Sequence, residues 1–212
     1  MKDIKLVIFD LDGTLFRTET VDIKAINDAL VKNGYEIKSD DKILNLIGLT
    51  LREVCKVLIN RVDEDSIKQF ARDIIAFEQP YIREYGELYD GVLNCLNTLK
   101  EKGYTLCICS NGNKEYVLGI SKKFAFFNIF DDICYSSGGI SKTQAVGMLK
   151  SKYKAEKFIM VGDRTSDIEA ASHNGGISIG VTYGFGKDEV LLANYVANNL
   201  QEVEKLVTDI TI

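Results

Sequence analysis

Val7-Ile8-Phe9-Asp10-Leu11-Asp12-Gly13-Thr14-Leu15 decides how the rest of the chain is read. An apolar run of strand type ends in two aspartates one residue apart, a spacing that puts both carboxylates on one side of an extended chain. Gly13 then permits a turn that residues with a Cβ resist. Strand, acid, acid and turn in this order set a carboxylate at the rim of a parallel sheet, where open α/β folds hold their ligands. The stretch also has the outline of a calcium loop. That alternative fails because no acid follows Asp12 until Glu19 and no glutamate stands at the twelfth position.

Outward from this stretch, short apolar runs recur at 4–9, 104–109, 132–135, 157–161 and 177–181, and helical patterns separate the last four. Repeated strand-helix alternation predicts a parallel sheet covered on both faces, an α/β core of Rossmann-like type. Lys102-Gly103 and Asn174-Gly175-Gly176 read as helix stops, so each following strand starts after a helix and ends in polar residues. Right-handed crossovers then bring the polar strand ends to one edge. Residues 15–86 break the rhythm. Val21, Ala25, Ile26, Ala29 and Leu30 repeat at helical spacing, as do Leu51, Val54, Cys55, Leu58 and Ile59, and then Ile67, Phe70, Ala71, Ile74 and Ile75. The reading is a core of 1–14 and 87–212 with a helical bundle, 15–86, inserted over the sheet edge as a lid. Pro80 is expected to kink or split the last helix of that insert.

At 212 residues the chain can bury a substantial core without crosslinks. Its net charge of -5 argues against a nonspecific nucleic-acid binder or a protein that docks on anionic membranes, both of which need a basic face. The N-terminal residues lack the apolar stretch of a signal peptide, and no segment has the length of a membrane span. Cys55, Cys95, Cys107, Cys109 and Cys134 form no Cys-x-x-Cys pair and fall in apolar runs, so they read as reduced core thiols of a cytoplasmic protein. His173, the only histidine, precedes Asn174-Gly175 and reads as a surface residue at a helix C-terminus.

Four polar clusters are expected to meet at the sheet edge: Asp10 and Asp12; Ser110-Asn111-Gly112 after the second strand; Lys142 at a helix start; and Gly162-Asp163-Arg164-Thr165-Ser166-Asp167 after the fourth. A hydroxyl and backbone N–H groups just before a helix suit a phosphate oxygen, which makes Ser110 and Asn111 candidate phosphate ligands. Asp10, Asp12, Asp163 and Asp167 in one pocket require a cation, and oxygen-only ligands select a hard ion, Mg²⁺ first. Lys142 offsets further charge. Such a set fits phosphoryl transfer through a carboxylate nucleophile. The bland readings are a solvated loop for Asp10 and Asp12, a common turn for Ser110-Asn111-Gly112, a surface charge for Lys142 and a helix cap for Asp163.

In order and spacing these motifs resemble the haloacid dehalogenase superfamily of aspartate-nucleophile hydrolases. The resemblance covers nearly the whole chain, and the position of the insert matches the branch with a helical-bundle cap. The short span between Ser110 and Lys142 leaves no room for the alternative large cap. The loop Val181-Thr182-Tyr183-Gly184-Phe185-Gly186 is similar to that of phosphoglycolate phosphatases and related pyrophosphatases. The resemblance implies that Asp10 attacks phosphorus, that Asp12 serves as acid and then base, and that Ser110 and Lys142 grip the phosphoryl oxygens. It further implies Mg²⁺ held by Asp10, the backbone carbonyl of Asp12 and Asp163, with Asp167 ordering a metal-bound water. The implied partner is a small phosphorylated metabolite.

Two departures from the family pattern stand out: Thr143 replaces a frequent proline, and Phe16-Arg17-Thr18-Glu19 stands where many relatives have Asp-Ser. Lys142 lies outside any P-loop, since Ser136 and Ser141 occupy the glycine positions, and Gly184-x-Gly186 lacks the third glycine of a dinucleotide fingerprint. Three alternatives share the core machinery: a phosphosugar mutase of the β-phosphoglucomutase type, an inorganic pyrophosphatase and a noncatalytic phospho-ligand sensor. In the insert, Gly48-Leu49-Thr50 lies between two helical patterns at a spacing similar to the substrate loop of relatives. Arg52, at the start of the next helix, is the expected contact to an anionic or hydroxylated leaving group.

Overall fold

The computed structural model describes residues 5–135 and 139–211. Ile4, expected to open the first strand, and Ser136 and Gly138, ahead of Lys142, lie outside them.

Six parallel strands form one sheet: β1 (Leu6–Phe9), β2 (Thr105–Cys109), β3 (Asp132–Cys134), β4 (Phe158–Gly162), β5 (Ile177–Val181) and β6 (Tyr195–Ala197). Their spatial order is β3-β2-β1-β4-β5-β6. The chain therefore winds outward from β1 in one direction, then returns to the other side of β1, and the crevice opens where the winding reverses. Five of these strands coincide with the apolar runs, to within two residues at each end. The sixth is short, with Tyr195 and Val196 exposed, so it carries no apolar run to read.

Alternation along the strands sorts the core into two layers. Val7 and Phe9 of β1 pack with Leu106, Ile108, Ile159 and Val161 on one face. That face is covered by α5 (Val92–Glu101), α6 (Lys114–Lys123) and α9 (Leu200–Thr211). Leu6 and Ile8 point the other way with Cys107, Phe158 and Met160, under α7 (Lys142–Lys152) and α8 (Thr165–His173). Both faces of every central strand are thus buried, which is why these strands read as continuous apolar runs.

Between β1 and β2 the chain forms α1 (Glu19–Lys32), α2 (Asp40–Leu44), α3 (Leu51–Ile59) and α4 (Glu64–Tyr85). These helices enclose an apolar cluster of their own, centred on Ile26, Leu30, Leu58, Phe70 and Ile74. The ends nearest the sheet, with Val21, Tyr81 and Ile82, pack into the core beneath. α3 starts at a capping box in which Thr50 and Glu53 satisfy each other's backbone N–H groups.

The expected break at Pro80 is not a split, because α4 runs through it as one 22-residue helix. A proline deprives the carbonyl four residues back of its donor, and that carbonyl belongs to Ala76, an exposed residue whose oxygen water can reach. Cys55, Cys95, Cys107 and Cys109 are buried free thiols and Cys134 is partly buried. His173 is the exposed last residue of α8. Among the described residues no helix is long and apolar enough to cross a membrane.

Candidate active site

Strand register assembles the site. Phe9 lies level with Ile108 of β2 and Val161 of β4, so the residues that follow each strand emerge together at the carboxyl edge. Asp10 comes next after β1, and its backbone N–H still donates to Val161 O at 2.8 Å. Ser110 follows β2, Asp163 follows β4, and Asp167 returns from the first turn of α8. Lys142 reaches in as the first residue of α7, where Ser141 caps the helix.

Lys142 Nζ is buried between two carboxylates, 2.9 Å from Asp10 Oδ1 and 2.7 Å from Asp167 Oδ1. Burial alone would lower its pKa, but Asp10 and Asp167 hold it above the ordinary lysine value. Asp10, Asp163 and Asp167 each offer an oxygen within 4.8 Å of the others. Burial first, and then Asp167, push Asp163 up to about 7 and Asp10 well above the usual carboxylate range. One lysine does not neutralise three such acids.

Donors account for much of this cluster but leave one atom over. Asp167 Oδ2 accepts from the Arg164 N–H at 3.0 Å, and Asp163 Oδ2 accepts from the Phe185 N–H at 2.6 Å. Asp163 Oδ1 is buried without a hydrogen-bond partner among the described residues. A buried lone carboxylate oxygen beside two further carboxylates fits a divalent cation, which supplies the missing positive charge. The loop Val181–Gly186 is built around Asp163: a Cβ at Gly184 would lie 2.4 Å from the Asp163 Cβ, and one at Gly186 1.7 Å from its carbonyl oxygen. Gly13 approaches from the other side at φ +73°, and a Cβ there would lie 2.4 Å from Asp163 Oδ2. The glycines of both loops thus have one steric cause.

The Asp12 side chain stands apart from the three clustered acids. Its Oδ1 accepts from Thr18 Oγ1 at 2.7 Å and from the Tyr116 hydroxyl at 2.7 Å, and its Oδ2 accepts from Ser110 Oγ at 3.2 Å. Ser110 Oγ in turn accepts from the Gly112 N–H at 2.9 Å. Burial, followed by Asp12, holds the Tyr116 phenol well above its usual pKa, so it stays a donor. Sequence reasoning missed Thr18 and Tyr116. A signal for Tyr116 was present: Asn113 caps α6, and a side chain in the first helical turn leans back toward the N-terminus and the sheet edge.

Of the substrate-loop stretch and Arg52, Leu49 lines the cavity and so does Gly48. Gly48 sits at φ +100° against the Arg164 side chain, and its carbonyl accepts from Asn111 Nδ2 at 2.8 Å. Asn111 thus uses its side-chain N–H to join the insert to the core, and it lines the cavity together with Asp10, Asp12 and Lys142. Thr50 is occupied in the capping box, and Arg52 is exposed and paired with Glu64. Neither lines the cavity. α3 presents Leu51 and Val54 inward and turns the Arg52 charge to solvent.

The missed residues there are acids. Asp22 of α1 and Glu78 of α4 line the cavity opposite Asp12. Glu78 continues the four-residue stripe Phe70, Ile74, Glu78, Ile82, and an acid within an apolar stripe was its sequence signal.

Residues 7–181 match the model of the family described as haloacid dehalogenase-like hydrolase. The chain is 29% identical over 225 residues to a phosphoglycolate phosphatase of Vibrio parahaemolyticus, with 97% of each chain covered. The structure of a predicted phosphatase from Clostridium acetobutylicum superimposes with a TM-score of 0.82 at 28% identity, covering 98% of this chain and 100% of that one. A predicted phosphoglycolate phosphatase from Haemophilus somnus shares the fold at a TM-score of 0.87 and 24% identity, covering 97% and 99%.

Proposed function

The chain belongs to the haloacid dehalogenase-like hydrolases and is a phosphatase-type enzyme, and on that premise we propose that it hydrolyses small phosphomonoesters with Mg²⁺ through a phosphoaspartyl Asp10. The observation that carries the proposal is a division of labour between two neighbouring acids. Asp10 is buried and held by Lys142, beside the unpartnered Asp163 oxygen, whereas Asp12 is turned away and held by three hydroxyl groups.

In this reading an Asp10 carboxylate oxygen forms a bond to phosphorus as the ester P–O bond breaks. Asp12 gives its proton to the departing oxygen, and Thr18 and Tyr116 fix its carboxyl for that transfer while the single Ser110 O–H turns to the phosphoryl group. In the second half Asp12 takes a proton from water, the water oxygen bonds to phosphorus, and Asp10 is released as a carboxylate. Lys142 and Ser110 offer donors to the phosphoryl oxygens. Asp10, Asp163 and the Asp12 backbone carbonyl would hold the Mg²⁺, with Asp167 behind them, and the ion would supply positive charge to the phosphoryl oxygens. Residues 15–86 act as the cap, and the Asn111–Gly48 hydrogen bond joins it to the core.

The test is phosphate release from a panel of monoesters by the wild type and by Asp10→Asn. The variant is expected to keep its fold and lose turnover by at least about a thousandfold. Near-normal phosphate release by an Asp10→Asn protein whose asparagine is verified by mass spectrometry would overturn the nucleophile.

A further inference from the structure

The phosphoryl position occupies one end of the cavity between insert and sheet. Ile26, Val54 and Ile74 of the insert also line this cavity, and among them stand Asp22 and Glu78. Glu78 is 4% exposed. Its Oε2, like Asp22 Oδ1, is sealed from solvent and has no hydrogen-bond partner among the described residues. Asn113 approaches Glu78 from the core side. Lys142 is the only cationic side chain among the described residues lining the cavity, and Asp10 and Asp167 already hold it.

Two carboxyl groups in a greasy wall cost stability that leucine or methionine in the same places would not. Among the described residues neither makes an ion pair, in contrast to Asp73 on the same helix as Glu78, which Lys32 holds at 2.7 Å. Both residues line the cavity that a leaving group must enter.

We propose that this wall recognises an ammonium group, so that the substrate is the phosphomonoester of an amine-bearing alcohol, with phosphorus at Asp10 and the cationic nitrogen between Asp22 and Glu78. The proposal rests on the phosphatase reading and names its substrate class. Ile26, Val54 and Ile74 pack the carbon frame. Burial and then Asp12 push Glu78 up to about 8, and burial and then Glu78 push Asp22 well above the usual range. The same low dielectric makes an arriving cation the most favourable partner for both. A leaving group carrying a carboxylate would bring a further acid against these two, and a neutral hydroxyl would satisfy one lone pair without supplying charge.

The experiment compares kcat/KM of the Mg²⁺-loaded enzyme on four small esters: phosphoethanolamine, the neutral propyl phosphate of matching length, 2-hydroxyethyl phosphate and phosphoglycolate. Phosphoethanolamine should exceed propyl phosphate by about tenfold or more, the size of a charge-assisted contact, and phosphoglycolate should be the poorest. In Glu78→Gln the ratio of amine to propyl ester should fall toward one while the phosphoglycolate rate rises relative to both. Asp22→Asn should move the ratio the same way and serves if Glu78→Gln does not fold. A preference for phosphoglycolate or for the hydroxyethyl ester, or an amine preference that neither variant alters, overturns the ammonium site. Turnover of propyl phosphate without amine preference removes this inference alone. Absence of phosphate release from all four and from p-nitrophenyl phosphate removes the phosphatase reading as well.

Discussion

Glu78→Gln should make the protein more stable, by an amount that grows with pH. In the folded chain burial raises the Glu78 carboxyl from 4.5 to about 8, so its free energy of ionisation differs between the folded and unfolded states. Below pH 4.5 both states carry the proton and the group costs nothing extra. As pH rises from 4.5 toward 8 the unfolded chain releases its proton while the folded chain retains it, and stability is lost throughout that window. Above pH 8 both states are ionised and the loss levels off. Converted at about 1.4 kcal/mol per pH unit, the ceiling is about 5 kcal/mol; water entry and adjustment of Asp22 reduce it to an expected 2 to 4 kcal/mol, roughly. Glutamine has the same shape and does not titrate, so the variant isolates this contribution. Urea unfolding at pH 5 and pH 8.5, with divalent metal held constant, measures it: the two proteins should nearly coincide at pH 5, and Glu78→Gln should be the more stable at pH 8.5. A stability difference that stays the same at both pH values would refute the reasoning, because a pH-independent gap is a packing effect and not an ionisation effect.

Three further outcomes are expected. Arg52→Ala should change kcat/KM by less than about twofold on any ester, since the guanidinium is solvent-facing and paired with Glu64; a tenfold loss confined to one substrate would return Arg52 to the site. Gly186→Ala should cost about 3 kcal/mol or more in thermal or urea unfolding, because Gly186 has an ordinary φ of −76° and the penalty is the clash of a Cβ 1.7 Å from the Asp163 carbonyl oxygen. Chelation should abolish phosphate release and Mg²⁺ restore it, whereas Ca²⁺ should inhibit, its longer bonds and higher coordination number unsettling in-line attack; full activity in verified metal-free protein would contradict the role given to Asp163.

The sheet was legible because its central strands are buried on both faces, and burial on both faces leaves an uninterrupted apolar signature. β6 lies at the edge with two exposed residues and left none. The edge motifs were legible for a related reason: Asp10, Ser110 and Asp163 each end an apolar strand, so parallel register alone brings them level. The cavity wall was harder. Arg52 looked like a substrate contact because its charge and position follow a family-like loop, yet side-chain direction depends on helical phase, and the phase of α3 is set by Leu51, Val54, Cys55 and Leu58. Glu78 and Asp22 were passed over because acids on a helix are ordinarily solvated. Their meaning came from which face of α4 and α1 the apolar stripe turns inward, a property of the bundle as a whole.

The strand order also sets a timetable for synthesis. β1 is the first strand to be made, but both its neighbours come much later, at 105–109 and 158–162. The helices of the insert, 19–85, find most of their apolar partners within the same segment and are complete before either neighbour has left the ribosome. A growing chain therefore carries a formed bundle attached to a bare hydrophobic strand, Leu6 to Phe9, whose backbone edges lack their pairing for most of translation. Aggregation during expression should trace to that strand, and the aspartate that ends it cannot meet Asp163 until about three quarters of the chain has been made.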